Sequence, residues 1–281
     1  MTRYSAMFDR CPNGVLGAFL MLGDPGIVQC EAYLDALVEG GADMVELGIP
    51  FSDPIADGPV IQAAAVRALK AGVRTGDCLG MLARFRVRHP GIPVGILTYA
   101  NIVNARRIAR FAEELAEAGA DSLLVADVPS LEAEPYARAA RAAGIDLIMI
   151  AAPNTPDAAL ERIASLSSGY TYCVARPGVT GADHRLQLAH QTLFEKLAEA
   201  GAAPPILGFG IATPEHVAQA LTHGAAGVIS GSALVGRIAE GATPASLRDY
   251  CAAMARAKPS LSQYKEAPAM PATPIRDEAS C

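Results

Sequence analysis

No run of this chain approaches the roughly eighteen consecutive apolar residues of a membrane span, and its start, MTRYSAMFDRCPNG, lacks the basic-then-apolar order of a signal peptide. The net charge of −6 argues against nucleic acid as the main partner, because binding a phosphate backbone needs clustered Lys and Arg. Its six cysteines, Cys11, Cys30, Cys78, Cys173, Cys251 and Cys281, form no CxxC and no Cys/His spacing suited to zinc. They are expected to be reduced and structural, which together with the absent leader points to a cytoplasmic protein with no metal site. A dinucleotide GxGxxG is absent too. The four lysines, Lys70, Lys196, Lys258 and Lys265, fall on helical segments or in the C-terminal stretch, so a Schiff-base aldolase is not expected. The five histidines, His89, His184, His190, His216 and His223, stand alone and read as surface or packing residues. Arg84, Arg86 and Arg88 read as a solvated helix face.

What is present is enough apolar residue for a large core: 281 residues, 51% of them hydrophobic and only 19% charged. Short β-rich apolar runs alternate with longer amphipathic ones, the order of strand–helix–strand units around a parallel sheet. Strands are expected at 17–22, 44–49, 93–99, 122–126, 146–150, 170–175, 205–208 and 227–230. Between them Ile27, Cys30, Leu34 and Leu37, and Ile108, Phe111, Leu115 and Ala118, step by three and four as helix faces do. GGADMVEL, AGADSLLV, AAGIDLIM and HGAAGVIS each place Gly at a helix end just before an apolar strand, a weak internal repeat. Eight such units in this length fit a single-domain (β/α)8 TIM barrel, a fold of about 250 residues. Residues 2–10 are expected to form a short helix over the barrel bottom. The barrel should occupy residues 1–257, and 258–281, rich in Pro and Ala without periodicity, should be a disordered or loosely attached tail.

In that fold the chemistry lies at the carboxyl ends of the strands. The second strand carries Glu46 there, a carboxylate in an otherwise apolar run, where an unpaired charge costs several kcal/mol. A stiff loop with Ser52, Asp53 and Asp57 follows. The other strand ends supply Gly23–Asp24–Pro25, Tyr99 and Asn101, Asp127, then Tyr172 leading into ARPGVTGADH with Arg176, Thr180 and Gly181, a stretch suited to a lid. GFGI (208–211) and SGSA (230–233) place small residues after the seventh and eighth strands, where such barrels commonly hold a phosphate with backbone N–H groups, aided by a helix beginning at Ser232.

ELGIPFSDPIADGPVIQ, LVADVP, YTYCVARPGVTGA, GFGI and GVISGSALV, in this order and spacing over about residues 1–256, resemble the motifs of the tryptophan synthase alpha subunit family. The resemblance implies a (β/α)8 barrel that cleaves indole-3-glycerol phosphate to indole and glyceraldehyde 3-phosphate. It implies Glu46 as acid/base, Asp57 as partner of the indole N–H, and Tyr172 as a neighbour of the acid/base. Phe19, Leu97 and Tyr99 would wall the indole, while Gly181, Gly210, Gly231 and Ser232 would hold the phosphate. Thr180 could bond Asp57 across the site, and Asp53 and Pro54 would meet a beta subunit. That partner would carry pyridoxal phosphate, with no cofactor in this chain, in an α2β2 assembly; a self-sufficient lyase releasing free indole is the alternative. The chain departs from the family pattern at Met21, Thr98, Ala175 and Pro177, positions that bear on lid closure.

Overall fold

The computed structural model describes residues 1–174 and 184–261, the side chains of 184–189 excepted. Parallel strands β1 (Val15–Met21), β2 (Met44–Gly48), β3 (Val94–Thr98), β4 (Ser122–Val125), β5 (Asp146–Ile148), β6 (Ile150–Ala151), β7 (Thr171–Val174), β8 (Pro205–Gly208) and β9 (Gly227–Ser230) run in the order β5-β4-β3-β2-β1-β9-β8-β7-β6. β5 pairs with β4 and β6 with β7, and Met149 alone separates β5 from β6, so one interrupted strand shuts the ring as a TIM barrel. The strand expected to be continuous over 146–150 breaks because it changes neighbour: Ile148 is paired to Leu124, and Ile150 to Tyr172. The remaining strands lie within two residues of their expected bounds. Both faces of the sheet are covered, which is why β1 and β2 are buried throughout; β1 reads as an unbroken apolar run, and β2 is interrupted only by Glu46.

Helices α1 (Arg3–Arg10), α2 (Ile27–Glu39), α3 (Pro59–Lys70), α4 (Thr75–Arg88), α5 (Ala100–Ala105), α6 (Ile108–Ala118), α7 (Glu134–Ala143), α8 (Asp157–Leu166), α9 (His184–Glu199), α10 (Pro214–Thr222), α11 (Ser232–Ala239) and α12 (Pro244–Arg256) surround the strands. The glycines of the repeat do stop helices: Gly119 and Gly144 take left-handed conformations (φ 96° and 75°) that cost other residues strain. α1 is capped by Thr2, and its Tyr4 is buried, hydrogen-bonded to Ser122 at 2.7 Å at the start of β4, so the helix plugs the barrel bottom. Past α12 the chain stays attached for a short distance: Lys258 pairs with Asp43, and Asn13 donates to the Pro259 carbonyl at 3.0 Å.

The arginines of α4 are not a free solvated face. Arg84 and Arg88 pair with Glu31 and Asp35 of α2. Arg86, its side chain 13% exposed, binds Asp121 and the carbonyls of Gly119, His89 and Ile92. Its fork satisfies the carbonyls of the turns that lead into β3 and β4, a role its spacing on the helix does not announce. None of the helices among the described residues is long and apolar enough to cross a membrane.

Candidate active site

Parallel register puts Phe19 beside Glu46, Glu46 beside Gly95, and Gly95 beside Ser122, all on the inner face of the barrel. Glu46 is 1% exposed. Its Oε1 accepts a hydrogen bond from the Tyr170 hydroxyl at 2.9 Å, across the barrel, and its Oε2 has no partner among the described residues. Burial pushes this carboxyl up to about 7; the Tyr170 bond pulls the other way, and the Asp57 charge adds to the rise. A glutamic acid poised at neutral pH with one free oxygen can give and take a proton. Gly95 is the residue that makes the room, since a Cβ there would lie 3.2 Å from the Tyr4 hydroxyl and 3.4 Å from that of Tyr170.

Asp57 reaches the site on the loop between β2 and α3. Its Oδ2 accepts from the Tyr99 hydroxyl at 2.9 Å, and that same hydroxyl accepts from the amide of Ala56 at 3.3 Å. Burial raises the Asp57 carboxyl above its ordinary value, and the bond from Tyr99 opposes the rise. Tyr99 also stacks on Phe51, with centroids 5.1 Å apart, so it ties the loop to the end of β3 as well as lining the barrel mouth. Asp53 and Pro54 lie in this loop; Asp53 is exposed and accepts from Ser52 Oγ at 2.5 Å.

The walls follow from alternation along the strands. Phe19 approaches Gly48 and Gly231 so closely that a Cβ on them would lie 2.8 Å and 3.4 Å from it. Leu97 is paired with Gly48 on the same inner face. Tyr172 projects from β7 against Gly208, where a Cβ would come within 2.0 Å of its hydroxyl, and makes an edge contact with Phe209 at 6.4 Å. Burial raises its phenol well above the ordinary value, and the charges of Glu46 and Asp57 add to this, which places it with the two acids.

On the opposite side the turn after β8 is tight: Phe209 and Gly210 both have positive φ (68° and 78°), and nothing lies within 4 Å of a Cβ built on Gly210. The turn after β9 has Gly231 as N-cap of α11 with no side-chain cap bond, leaving the first amides of the helix, from Ser232 onward, available to an anion. Buried Ser230 donates to the carbonyl of Ile211 at 2.8 Å, joining the two turns. Thr180 and Gly181, with Ala175, Arg176 and Pro177, lie outside the described residues.

Two departures from the family pattern are visible. Met21, paired with Gly48, packs inside the barrel, where a Cβ on Gly48 would lie 3.2 Å from its sulfur and terminal methyl. Thr98 alternates with Leu97 and so points out toward the helices; it is fully buried, and its hydroxyl has no partner among the described residues. Two residues were missed from sequence. Tyr170 looks like one more strand aromatic, and Arg67 like a solvated helix residue. A groove of about 400 Å³ also opens at the ends of β4 and β6, lined by Ala126, Asp127, Pro129, Met149, Ile150 and Thr155. Since Ile150 pairs with Tyr172, the groove borders the interior at that tyrosine.

The family model described as tryptophan synthase alpha chain matches residues 11–266. A tryptophan synthase alpha chain from Shewanella amazonensis is 52% identical over 241 residues, 85% of this chain and 91% of that one. The solved alpha chain from Legionella pneumophila superposes with a TM-score of 0.83 at 29% identity, covering 92% of this chain and 97% of that one. A chain of Mycobacterium tuberculosis tryptophan synthase gives 0.84 at 32%, with 92% and 98% covered. This chain belongs to the tryptophan synthase alpha chain family.

Proposed function

We propose that Glu46 and Asp57 carry out the alpha reaction in this chain. That reaction is the cleavage of indole-3-glycerol phosphate, so the protein is a carbon–carbon lyase of tryptophan biosynthesis. Breaking the bond requires a proton on the indole carbon that bears the glycerol chain, which turns the ring into an iminium-like cation. Glu46, protonated in part near pH 7, delivers it through Oε2. Positive charge then develops at the ring nitrogen, where the Asp57 carboxylate stabilises the transition state more than the ground state. The electrons of the breaking carbon–carbon bond restore the neutral indole. The adjacent hydroxyl loses its proton to the Glu46 carboxylate, giving the aldehyde of glyceraldehyde 3-phosphate and returning Glu46 to its acid form. Tyr172 holds the acid pair on one side; Phe19, Leu97 and Tyr99 wall the ring; Gly181, Gly210, Gly231 and Ser232 take the phosphate, and Thr180 binds the substrate. The observation that carries this assignment is Glu46 itself: a buried acid raised to about 7, bonded at one oxygen and without a partner among the described residues at the other.

The same reading gives the chain a pyridoxal-phosphate-dependent beta subunit as partner, in an α2β2 assembly, with no cofactor of its own. Supporting it, exposed Asp53 and half-buried Pro54 share the rim of the barrel mouth with Ile55 and Leu131, apolar residues 82% and 73% exposed. The five described cysteines are all free thiols, which suits a cytoplasmic protein. Turnover of indole-3-glycerol phosphate by the purified chain, with and without beta subunit, tests the assignment. Glu46→Gln should abolish cleavage while leaving binding of a phosphate-bearing substrate analogue nearly unchanged. A loss of only two- or threefold in kcat would remove Glu46 from the chemical step, and a fast chain indifferent to beta subunit would make it a self-sufficient lyase.

A further inference from the structure

We propose that the ion pair between Arg67 and Asp24 is a positioning clamp that sets the place of Asp57; this rests on the catalytic reading above. Asp57 stands immediately before Gly58, the N-cap of α3, and α3 begins at Pro59, so the acid is carried by the end of that helix. What fixes α3 against the barrel is unusual. Its buried residues are Ala64, Ala65 and Ala68, whereas α2 buries Cys30, Tyr33, Leu34, Ala36 and Leu37, and α4 buries Cys78, Met81, Leu82 and Phe85. A face of methyl groups lets a helix approach closely but interlocks little, so it resists sliding and rotation poorly.

Arg67 supplies the missing register. Its Nε and Nη2 donate to Oδ1 and Oδ2 of Asp24, both at 2.7 Å, in a two-pronged pair whose geometry fixes distance and angle together. Asp24 is 2% exposed at the end of β1, one residue from Gly23, on whose Cβ position the Val73 side chain encroaches at 2.5 Å. The turn after β1 thus grips α3 at Arg67 and the chain just beyond α3 at Val73. α3 also packs on α11, which begins at Ser232, so the helix lies between the loop that carries Asp57 and the turn proposed to hold phosphate. Loss of the clamp should let α3 shift and carry Asp57 away from the ring nitrogen, while Glu46 and the strands stay in place.

The full chain tests this in two ways. In Arg67→Gln, amide hydrogen exchange at Ile55 and Asp57, whose N–H groups bond the carbonyls of Asp53 and Pro54, should be at least about tenfold faster, with the amides of β1 and β2 unchanged. In turnover, Arg67→Gln should lower kcat about tenfold with KM changed less than threefold, Arg67→Lys should recover part of it, and the loss should nearly vanish in an Asp57→Asn background, where misplacing the carboxylate no longer matters. Unchanged exchange at Ile55 and Asp57, or losses that simply multiply with Asp57→Asn, would overturn the clamp. Asp24→Asn, nearly isosteric, breaks the same pair if Arg67→Gln does not fold. The exchange measurement does not depend on activity, so an inactive parent chain would overturn the catalytic reading and leave the clamp to be decided by exchange.

Discussion

Tyr170 and Glu46, 124 residues apart in sequence, meet inside the barrel with the phenol donating to the carboxylate at 2.9 Å. Two opposed effects act on the acid through this arrangement. Burial favours its neutral form, and the bond from Tyr170 favours the charged one; burial dominates, leaving the group near 7 rather than near the ordinary carboxylate value. The phenol therefore holds the acid nearer neutrality than burial alone would.

Tyr170→Phe should move that balance in one direction. With the donor gone, the charged form loses a bond worth roughly 1.5–3 kcal/mol, so the carboxyl titrates higher, by about one pH unit or more. Because the protonated form starts the proposed reaction, kcat/KM should fall as pH rises through about 7 in the parent, and in the variant this falling limb should shift upward. A pH–rate profile of both proteins checks it; an unmoved limb, or one moved down, would mean that the bond does not act on the proton donor.

Glu46→Gln bears on stability as well as catalysis. The acid is raised from an ordinary 4.5 to about 7 on folding, so the folded chain holds the extra proton and is penalised once that proton must leave. Below about 4.5 both states are protonated and the penalty is absent. It grows as pH rises to about 7 and then stays constant, at most about 3 kcal/mol. The Gln variant escapes the penalty. Its melting temperature should exceed the parent's at pH 8, and the difference should shrink as pH falls toward 5. A difference independent of pH would show that Glu46 does not titrate in this range.

Glu46 and Asp57 were legible in the sequence because each breaks a pattern: a carboxylate in an apolar strand, and acids in a Pro- and Gly-stiffened loop. Gly119 and Gly144 were legible because a helix stop before a strand is a local matter of φ. Tyr170 was not, since an aromatic in an apolar strand fits core packing, and its partner is fixed only when the barrel closes. Arg67 and Arg86 were hidden for the same reason: an arginine on a helix is ordinarily solvated, and what each one grips arrives from another turn of the chain. The break at Met149 was also invisible, because it depends on which neighbours the fifth strand finds.

Thr98→Val should stabilise the chain. The Thr98 hydroxyl is fully buried and has no partner among the described residues, which costs about 1–3 kcal/mol relative to a satisfied or absent polar group. Valine has nearly the same shape and suits a strand. Denaturant unfolding should show a higher midpoint at unchanged slope, by about 1 kcal/mol or more, with kcat unaffected because the side chain faces the helices. A loss of stability would mean that the hydroxyl has a partner in solution, such as a bound water.

Gly208→Ala should act through Tyr172. A methyl group there would lie 2.0 Å from the tyrosine hydroxyl and 2.3 Å from the ring carbon that carries it, far inside contact distance, so the ring must leave its position beside the acids. Overpacking of this kind costs roughly 1–3 kcal/mol, and moving Tyr172 should lower kcat about tenfold or more, as small misplacements at a reacting site do. The two effects separate in a double variant. With Tyr172→Ala already in place the clash has no second party, so adding Gly208→Ala should change neither stability nor rate appreciably. If Gly208→Ala cost as much in that background as in the parent, the strain would lie in the β8 backbone, and Tyr172 would owe its place to something other than the missing side chain opposite it.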